Sequence, residues 1–347
     1  MEDKFEYSLF AGAILSWYDA NKRDLPWRID REPYHIWLSE IMLQQTRVEA
    51  VKGYYSRFLE KLPTIEALAK ADDEVLHKLW EGLGYYSRVR NLKKAATCIM
   101  QQHGGVFPRD YEAVLALPGI GPYTAGAICS IAYDQPTPAV DGNVLRVMTR
   151  IFSDDSNVDD PATKRRISEQ LRSIYPVRAG DFTQALMELG ATVCGPNAAP
   201  DCINCPCSQL CMGYRNGTAA ALPVRSPKKQ RRIEKKTVLI LSCDDSYALC
   251  KRPDTGLLAS MWQFPELPGW DSLDAISCEM ERIGVKIAEI KMEVERKHIF
   301  THIEWHMRGI YMEVKERSPE FIWMDAETIR RDAALPTAFR LFFDECI

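Results

Sequence analysis

The chain has no run of eighteen apolar residues, although 46% of its 347 residues are apolar. A helix that crosses a membrane needs about 20 in succession, so none is expected. The first thirty residues, MEDKFEYSLFAGAILSWYDANKRDLPWRID, carry acids and tryptophan and lack the layout of a secretory signal. No internal repeat stands out, which sets aside solenoid architectures. Nor is there an excess of positive charge, since 44 Lys and Arg against 48 Asp and Glu leave a net −4. That balance excludes a uniformly basic surface but not a local basic patch.

What the chain does have is length for two domains and eleven cysteines. From Phe5 to about Ile174 the pattern is helical: LFAGAILSWY, YHIWLSEIMLQQTRVEAVKGYYSRFL and DEVLHKLWEGL repeat apolar residues every three or four positions. Pro26, Pro33, Pro63, Pro108 and Pro118 punctuate these runs. The stretch 215–236, RNGTAAALPVRSPKKQRRIEKK, is basic and reads as a linker. After it the period changes to two. KTVLILSCDDSYALCKR predicts a hairpin turning at Asp-Asp-Ser, and residues 298–314 predict a strand pair or one long strand. A helical domain at 1–214 and an α+β domain at 237–347 follow.

Four cysteines fall within eighteen residues: Cys194, Cys202, Cys205 and Cys211, with gaps of seven, two and five. Four thiolates at such spacing suit zinc or an iron–sulfur cluster, and the spacing alone does not choose between them. Cys207, between the last two, would spoil the spacing and is left out of the set.

In LPGIGPYTAGAI, Gly119 and Gly121 bracket Ile120 before Pro122 and Tyr123 open a helical run. Such a turn presents backbone N–H groups beside a helix N-terminus, which suits a phosphate. Twenty residues on, Asp141 stands in AVDGNV with Asn143 behind it. Glu40 interrupts a helix whose neighbours Ile36, Trp37, Leu38, Ile41, Met42 and Leu43 are apolar. A desolvated carboxyl there keeps its proton toward neutrality, as a general acid must.

LPGIGPYTA resembles the helix-hairpin-helix of base-excision DNA glycosylases, and WLSEIMLQQT, EGLGYYSRVRNL, AVDGNV and FTQALMELGA extend the resemblance to the MutY family of adenine DNA glycosylases. The resemblance implies a mostly α domain with a helix-hairpin-helix at 112–130 and a [4Fe–4S] loop at 194–211, followed by a Nudix-like α+β domain. The family's cluster loop has six residues in its first gap, and GPNAAPD carries the extra one here. The resemblance implies release of adenine opposite 8-oxoguanine or guanine in double-stranded DNA. Glu40 would be the acid, Asp141 the stabilising carboxylate, and Tyr123 and Asn143 its orienters. Lyase relatives carry a lysine where Tyr123 stands, so a monofunctional enzyme is implied.

By the same resemblance Arg28, Gln184 and Trp27 line the adenine pocket. Gln45 and Tyr85 wedge into the base stack, and Thr46 and Leu83 contact the lesion strand. Arg23, Arg88 and Arg90 are candidate phosphate contacts. Phe300, Thr301 and His302 match a Phe-Ser-His element that reads 8-oxoguanine, with threonine for serine. His298, His302 and His306 alternate with apolar residues, which favours a strand over a metal site. CEMERIGV offers only Glu279 and Glu281 where an active Nudix helix clusters its glutamates, so recognition is expected rather than pyrophosphate hydrolysis. The protein is expected to be a cytoplasmic monomer, nucleoid-associated when on DNA, and to have no membrane partner. The alternatives are a mismatch-thymine or endonuclease III-like glycosylase, a non-catalytic damage binder, and a nucleotide pyrophosphatase.

Overall fold

A computed structural model of the chain describes residues 6–196, 200–227 and 230–345. Asn197, Ala198 and Ala199 of the GPNAAPD stretch, and Lys228 and Lys229 of the basic stretch, lie outside the described residues. Two compact units are present. One comprises residues 1–70 and 91–227, the other 71–90 and 228–347. No helix among the described residues is long and apolar enough to cross a membrane.

The first unit is helical. Its core gathers Phe10, Ile14 and Tyr18 of the helix Tyr7–Asn21 with Val144, Val147, Met148 and Ile151 of Gly142–Phe152 and Phe182, Leu186 and Leu189 of Ala179–Thr192. Each contributes one stripe at three- and four-residue spacing, as amphipathic helices do. The long periodic run from Tyr34 to Leu59 is not one helix. It breaks into Pro33–Leu43 and Val48–Lys61. Between them Gln45 takes φ 60°, and the Gln44 amide donates to Thr124 Oγ1 at 3.4 Å. The first helix is buried almost all round and the second along Val51, Tyr55 and Phe58, so apolar residues recur on both sides of the break and the pattern conceals it.

The second unit is built on a mixed sheet of β1 (Arg232–Cys243), β2 (Ser246–Lys251), β3 (Trp262–Gln263), β4 (Glu266–Pro268), β5 (Ile287–Ile299), β6 (Ile303–Val314) and β7 (Ile322–Asp325). The order is β3-β2-β1-β6-β5, with β4 on β1 and β7 on β2. β1 and β6 run parallel, from Arg232 opposite Ile303 to Ser242 opposite Glu313. The β1–β2 turn puts Asp244 and Asp245 at φ 45° and 59°, the left-handed pair that a tight hairpin requires. Of the two readings for residues 298–314, the strand pair is what forms, as the end of β5, a turn and β6.

Both faces of this sheet are covered. Val238, Ile240, Trp305, Met307 and Tyr311 pack against Phe339 and Phe342 of the helix Thr337–Phe343. Leu239, Leu241, Ile310 and Met312 pack against Ile276 and Met280 of Leu273–Arg282. The alternation in β1 therefore serves two cores. Gly309 fits the first face closely, since a Cβ there would lie 2.4 Å from the Phe342 ring.

Candidate active site

The hairpin ahead of Tyr123 is shaped by one glycine more than the other. Gly119 takes φ +77°, and a Cβ on it would sit 2.5 Å from Asn91 Cβ. Gly121 has room and ordinary extended φ, and it caps the helix Pro122–Tyr133. Pro122 at the first helical position suits its fixed φ and missing N–H. Tyr123 follows, and the helix then presses on the returning chain at Gly126, where a Cβ would be 2.1 Å from the Pro138 carbonyl oxygen. This close approach sets the path of residues 137–141.

Asp141 caps the helix Gly142–Phe152, accepting from the Val144 N–H at 2.7 Å. The Asn143 amide donates to its other oxygen, also at 2.7 Å. The bonds that cap the helix thus also fix the carboxylate in place. Asp141 is half-buried. Its carboxyl lies above the usual carboxylate range because burial outweighs these hydrogen bonds. Behind Asn143, Arg146 donates to the Asn143 side-chain oxygen at 2.8 Å, to the Gly190 carbonyl at 2.7 Å and to the Cys194 carbonyl at 2.7 Å. A Cβ on Gly190 would sit 2.6 Å from Asn143 Cβ. Asn143 is therefore clamped from two directions.

Glu40 sits in the middle of Pro33–Leu43 and is 6% exposed. The Tyr123 hydroxyl donates to its Oε2 at 2.5 Å. Burial pushes the Glu40 carboxyl up to about 7, aided by the nearby Asp141 charge and opposed by the Tyr123 hydrogen bond and by Arg28. Tyr123 itself is driven well above an ordinary phenol by burial and by the charges of Glu40 and Asp141. Glu40, Tyr123, Asp141 and Asn143, far apart in the chain, converge.

Arg28 follows Pro26 and the buried Trp27 in a short 3-10 turn, and Trp27 meets the Tyr55 ring edge-on at 5.6 Å. Its guanidinium reaches Gln184 Oε1 at 3.1 Å and Glu188 Oε2 at 2.8 Å. Glu188 is the residue that sequence reasoning missed. It is 1% exposed and also accepts from Arg23 at 2.6 Å. Although burial opposes ionisation, the hydrogen bonds from Arg23 and Arg28 hold its carboxyl down at about 2. One signal was available: Gln184 and Glu188 are four apart and share a helix face. Arg23, a candidate phosphate contact, is committed to Glu188 instead.

In the first unit Gln45 is exposed, with Thr46 half-buried beside it. In the second unit Leu83 is buried, and Tyr85 is exposed at φ 48° with its hydroxyl 2.6 Å from Thr301 Oγ1. Thr301 and His302 are exposed at the β5–β6 turn. The Phe300 ring meets Trp305 and His298 edge-on. Arg88 is buried and donates to the Leu83 and Gly84 carbonyls, and Arg90 donates to the Ala259 carbonyl. Both arginines hold the loop rather than standing free for phosphate. His306 meets Glu304 at 2.7 Å.

The cysteine stretch encloses a cavity lined by Cys194, Cys202, Cys205 and Cys211, together with Val147, Ile151 and Leu189. Cys207 is buried in the adjoining core instead. Arg150 donates to Cys194 Sγ at 3.2 Å. Among the described residues no group of three or more His, Cys, Asp or Glu side chains is gathered tightly enough to hold a metal ion. Even so, four thiols on one apolar cavity beside a guanidinium form a donor set that fits a sulfur-ligated group.

Residues 38–176 match the HhH-GPD superfamily of base excision DNA repair proteins, and residues 237–345 match the NUDIX domain. A thermostable thymine-DNA glycosylase is similar in fold and sequence, with a TM-score of 0.56 and 31% identity over 60% of this chain and 97% of that one. The class is thus a helix-hairpin-helix DNA glycosylase of base-excision repair joined to a Nudix-like domain. The adenine DNA glycosylase of Rattus norvegicus is 34% identical over 98% of this chain and 78% of its own length. That of Buchnera aphidicola subsp. Baizongia pistaciae is 33% identical over 89% and 88%. The chain belongs to the adenine DNA glycosylase family.

Proposed function

We propose that the protein removes adenine mispaired with 8-oxoguanine, or with guanine, by hydrolysing the N-glycosidic bond, and that it has no strand-cleaving lyase step. The observation that carries this reading is a buried glutamic acid, poised to lose its proton at about pH 7, beside the Tyr123 hydroxyl and a second carboxyl.

Adenine must leave the stack before its reacting atoms can be reached. Glu40 gives its proton to N7 of the flipped base, which turns the base into a neutral leaving group. The glycosidic bond breaks with positive charge on the deoxyribose. Asp141, fixed by Val144 and Asn143, stabilises that charge and can close on it as a covalent adduct, as in retaining glycoside hydrolysis. Glu40, now a carboxylate, takes a proton from the water that completes hydrolysis. Tyr123 offers no amine for a Schiff base.

Arg28, Gln184 and Trp27 shape the adenine pocket, with Glu188 as the buried anchor of Arg28. Gly119 and Gly121 give the hairpin N–H groups to a phosphate. Gln45, Tyr85, Thr46 and Leu83 meet the displaced stack and the lesion strand, and Phe300, Thr301 and His302 read 8-oxoguanine. Cys194, Cys202, Cys205 and Cys211 would hold a [4Fe–4S] cluster, which when bound ties the loop together for folding and DNA docking. The working division is a catalytic domain at 1–214, a linker at 215–236 and a lesion-reading domain at 237–347, in a monomer that acts in the cytoplasm on the nucleoid.

The test is single-turnover base release from a duplex with one A:8-oxoguanine pair, quenched with and without hot alkali, with a G:T duplex as control. Strand breaks should appear only after alkali. Glu40→Gln and Asp141→Asn should each slow release by about a thousandfold. Breaks without alkali at the rate of base loss, or release of thymine and not adenine, would sink the reading.

A further inference from the structure

In the basic stretch 215–236, read above as a linker, four of the cations among the described residues meet acidic or aromatic partners. Arg225 pairs with Asp159 at 3.2 Å, Arg232 with Glu234, and Lys236 with Glu266 at 2.8 Å. Lys235 lies over the Trp270 ring at 4.9 Å. Arg231 differs. It is exposed, pairs with no carboxylate among the described residues, and donates through Nε to the Phe300 carbonyl at 3.1 Å. The next residue repeats the grip, as the Arg232 N–H donates to the His302 carbonyl at 3.1 Å. The turn closes on itself through the Phe300 N–H and the Ile303 carbonyl at 2.8 Å. The start of β1 therefore holds the two outer residues of the Phe300-Thr301-His302 turn, one through backbone and one through the Arg231 side chain.

We propose that Arg231 is a positioning residue for discrimination of the base opposite adenine. Its guanidinium fixes the Phe300 carbonyl and with it the direction in which the Phe300 ring, the Thr301 hydroxyl and the His302 imidazole project. The backbone bond from Arg232 survives any substitution there, but the bond to Phe300 depends on one side chain. Without this donor the turn is free to shift its orientation, an effect of roughly tenfold. The inference rests on the turn being the element that reads 8-oxoguanine.

The experiment compares single-turnover rates on A:8-oxoguanine and A:G duplexes for wild type, Arg231→Met, Thr301→Ala and the double variant. Methionine keeps an apolar stem and removes the donors. Arg231→Met should lower the ratio of the two rates by about tenfold, and the double variant should lose less than the sum of the two single losses, because both changes act through one turn. The slope of DNA affinity against salt should stay at its wild-type value. A slope reduced by about one would mark a phosphate contact and overturn the inference. So would additive losses, which mean that Arg231 meets the DNA itself, or an equal fall in both rates. Loss in Thr301→Ala with none in Arg231→Met overturns the inference alone. A wild-type ratio in both variants overturns the reading of the turn as well.

Discussion

The two units place their important side chains in opposite surroundings. In the helical unit Glu40 is buried and Asp141 half-buried, held where helices meet glycines at close approach. In the sheet unit Tyr85, Thr301 and His302 are exposed at loop and turn. Moving a proton near neutrality requires a carboxyl withdrawn from water, because only desolvation and neighbouring charge lift it that far. Recognising a base requires groups that can touch it. The buried set is thus paid for in stability, and the exposed set is not.

Glu40→Gln tests that contrast most strongly. A carboxyl raised from 4.5 to about 7 by burial disfavours the folded state once it must ionise. The folded protein binds the extra proton, so the penalty is absent below about pH 4.5 and complete above pH 7. Glutamine removes it and still accepts from Tyr123. Unfolding at pH 8.5 should show the variant about 3 kcal/mol more stable than wild type, with no gain at pH 4. A variant less stable at both pH values would mean that the carboxylate is solvated.

Gly190→Ala separates geometry from chemistry. The new methyl must displace Asn143, and with it one hydrogen bond to Asp141. Release of adenine should fall by about a hundredfold, whereas Gly12→Ala, where a Cβ meets nothing within 4 Å, should cost little. Equal effects would refute the clamp. Smallest is the pH profile of single-turnover release. The proton on Glu40 is lost above about pH 7, so the rate should fall about tenfold per unit beyond that point. Asp141 must be ionised, so an acid limb should lie above the ordinary aspartate value.

Much of this site was legible in the chain because its signals are local. The hairpin, the apolar helix that Glu40 interrupts, and Asp141 with Asn143 each fall within a dozen residues, and local geometry dictates the residue types. What was not legible depends on partners remote in sequence. Glu188 meets Arg23 from 165 residues away, and its spacing from Gln184 marks a shared helix face but not a buried ion pair. Gln45 breaks a periodic run that conceals the break. Residues 71–90, read as a continuation of the helical half, fold with residues 228–347, a matter of packing that no window reveals. Arg231 was one cation among several in a basic linker, because carbonyl partners leave no mark in composition.

The contact between Tyr85 and Thr301 has a consequence for kinetics. Ordering a rotamer-rich side chain at an interface costs about 0.5–1.5 kcal/mol, and that entropy is usually lost at the moment of association. Here a tyrosine in the left-handed region and a threonine at a hairpin tip are tied together at 2.6 Å. Two side chains proposed to meet DNA have thus lost much of their freedom during folding. A glycosylase that meets DNA through this pair therefore gives up less side-chain freedom at each encounter.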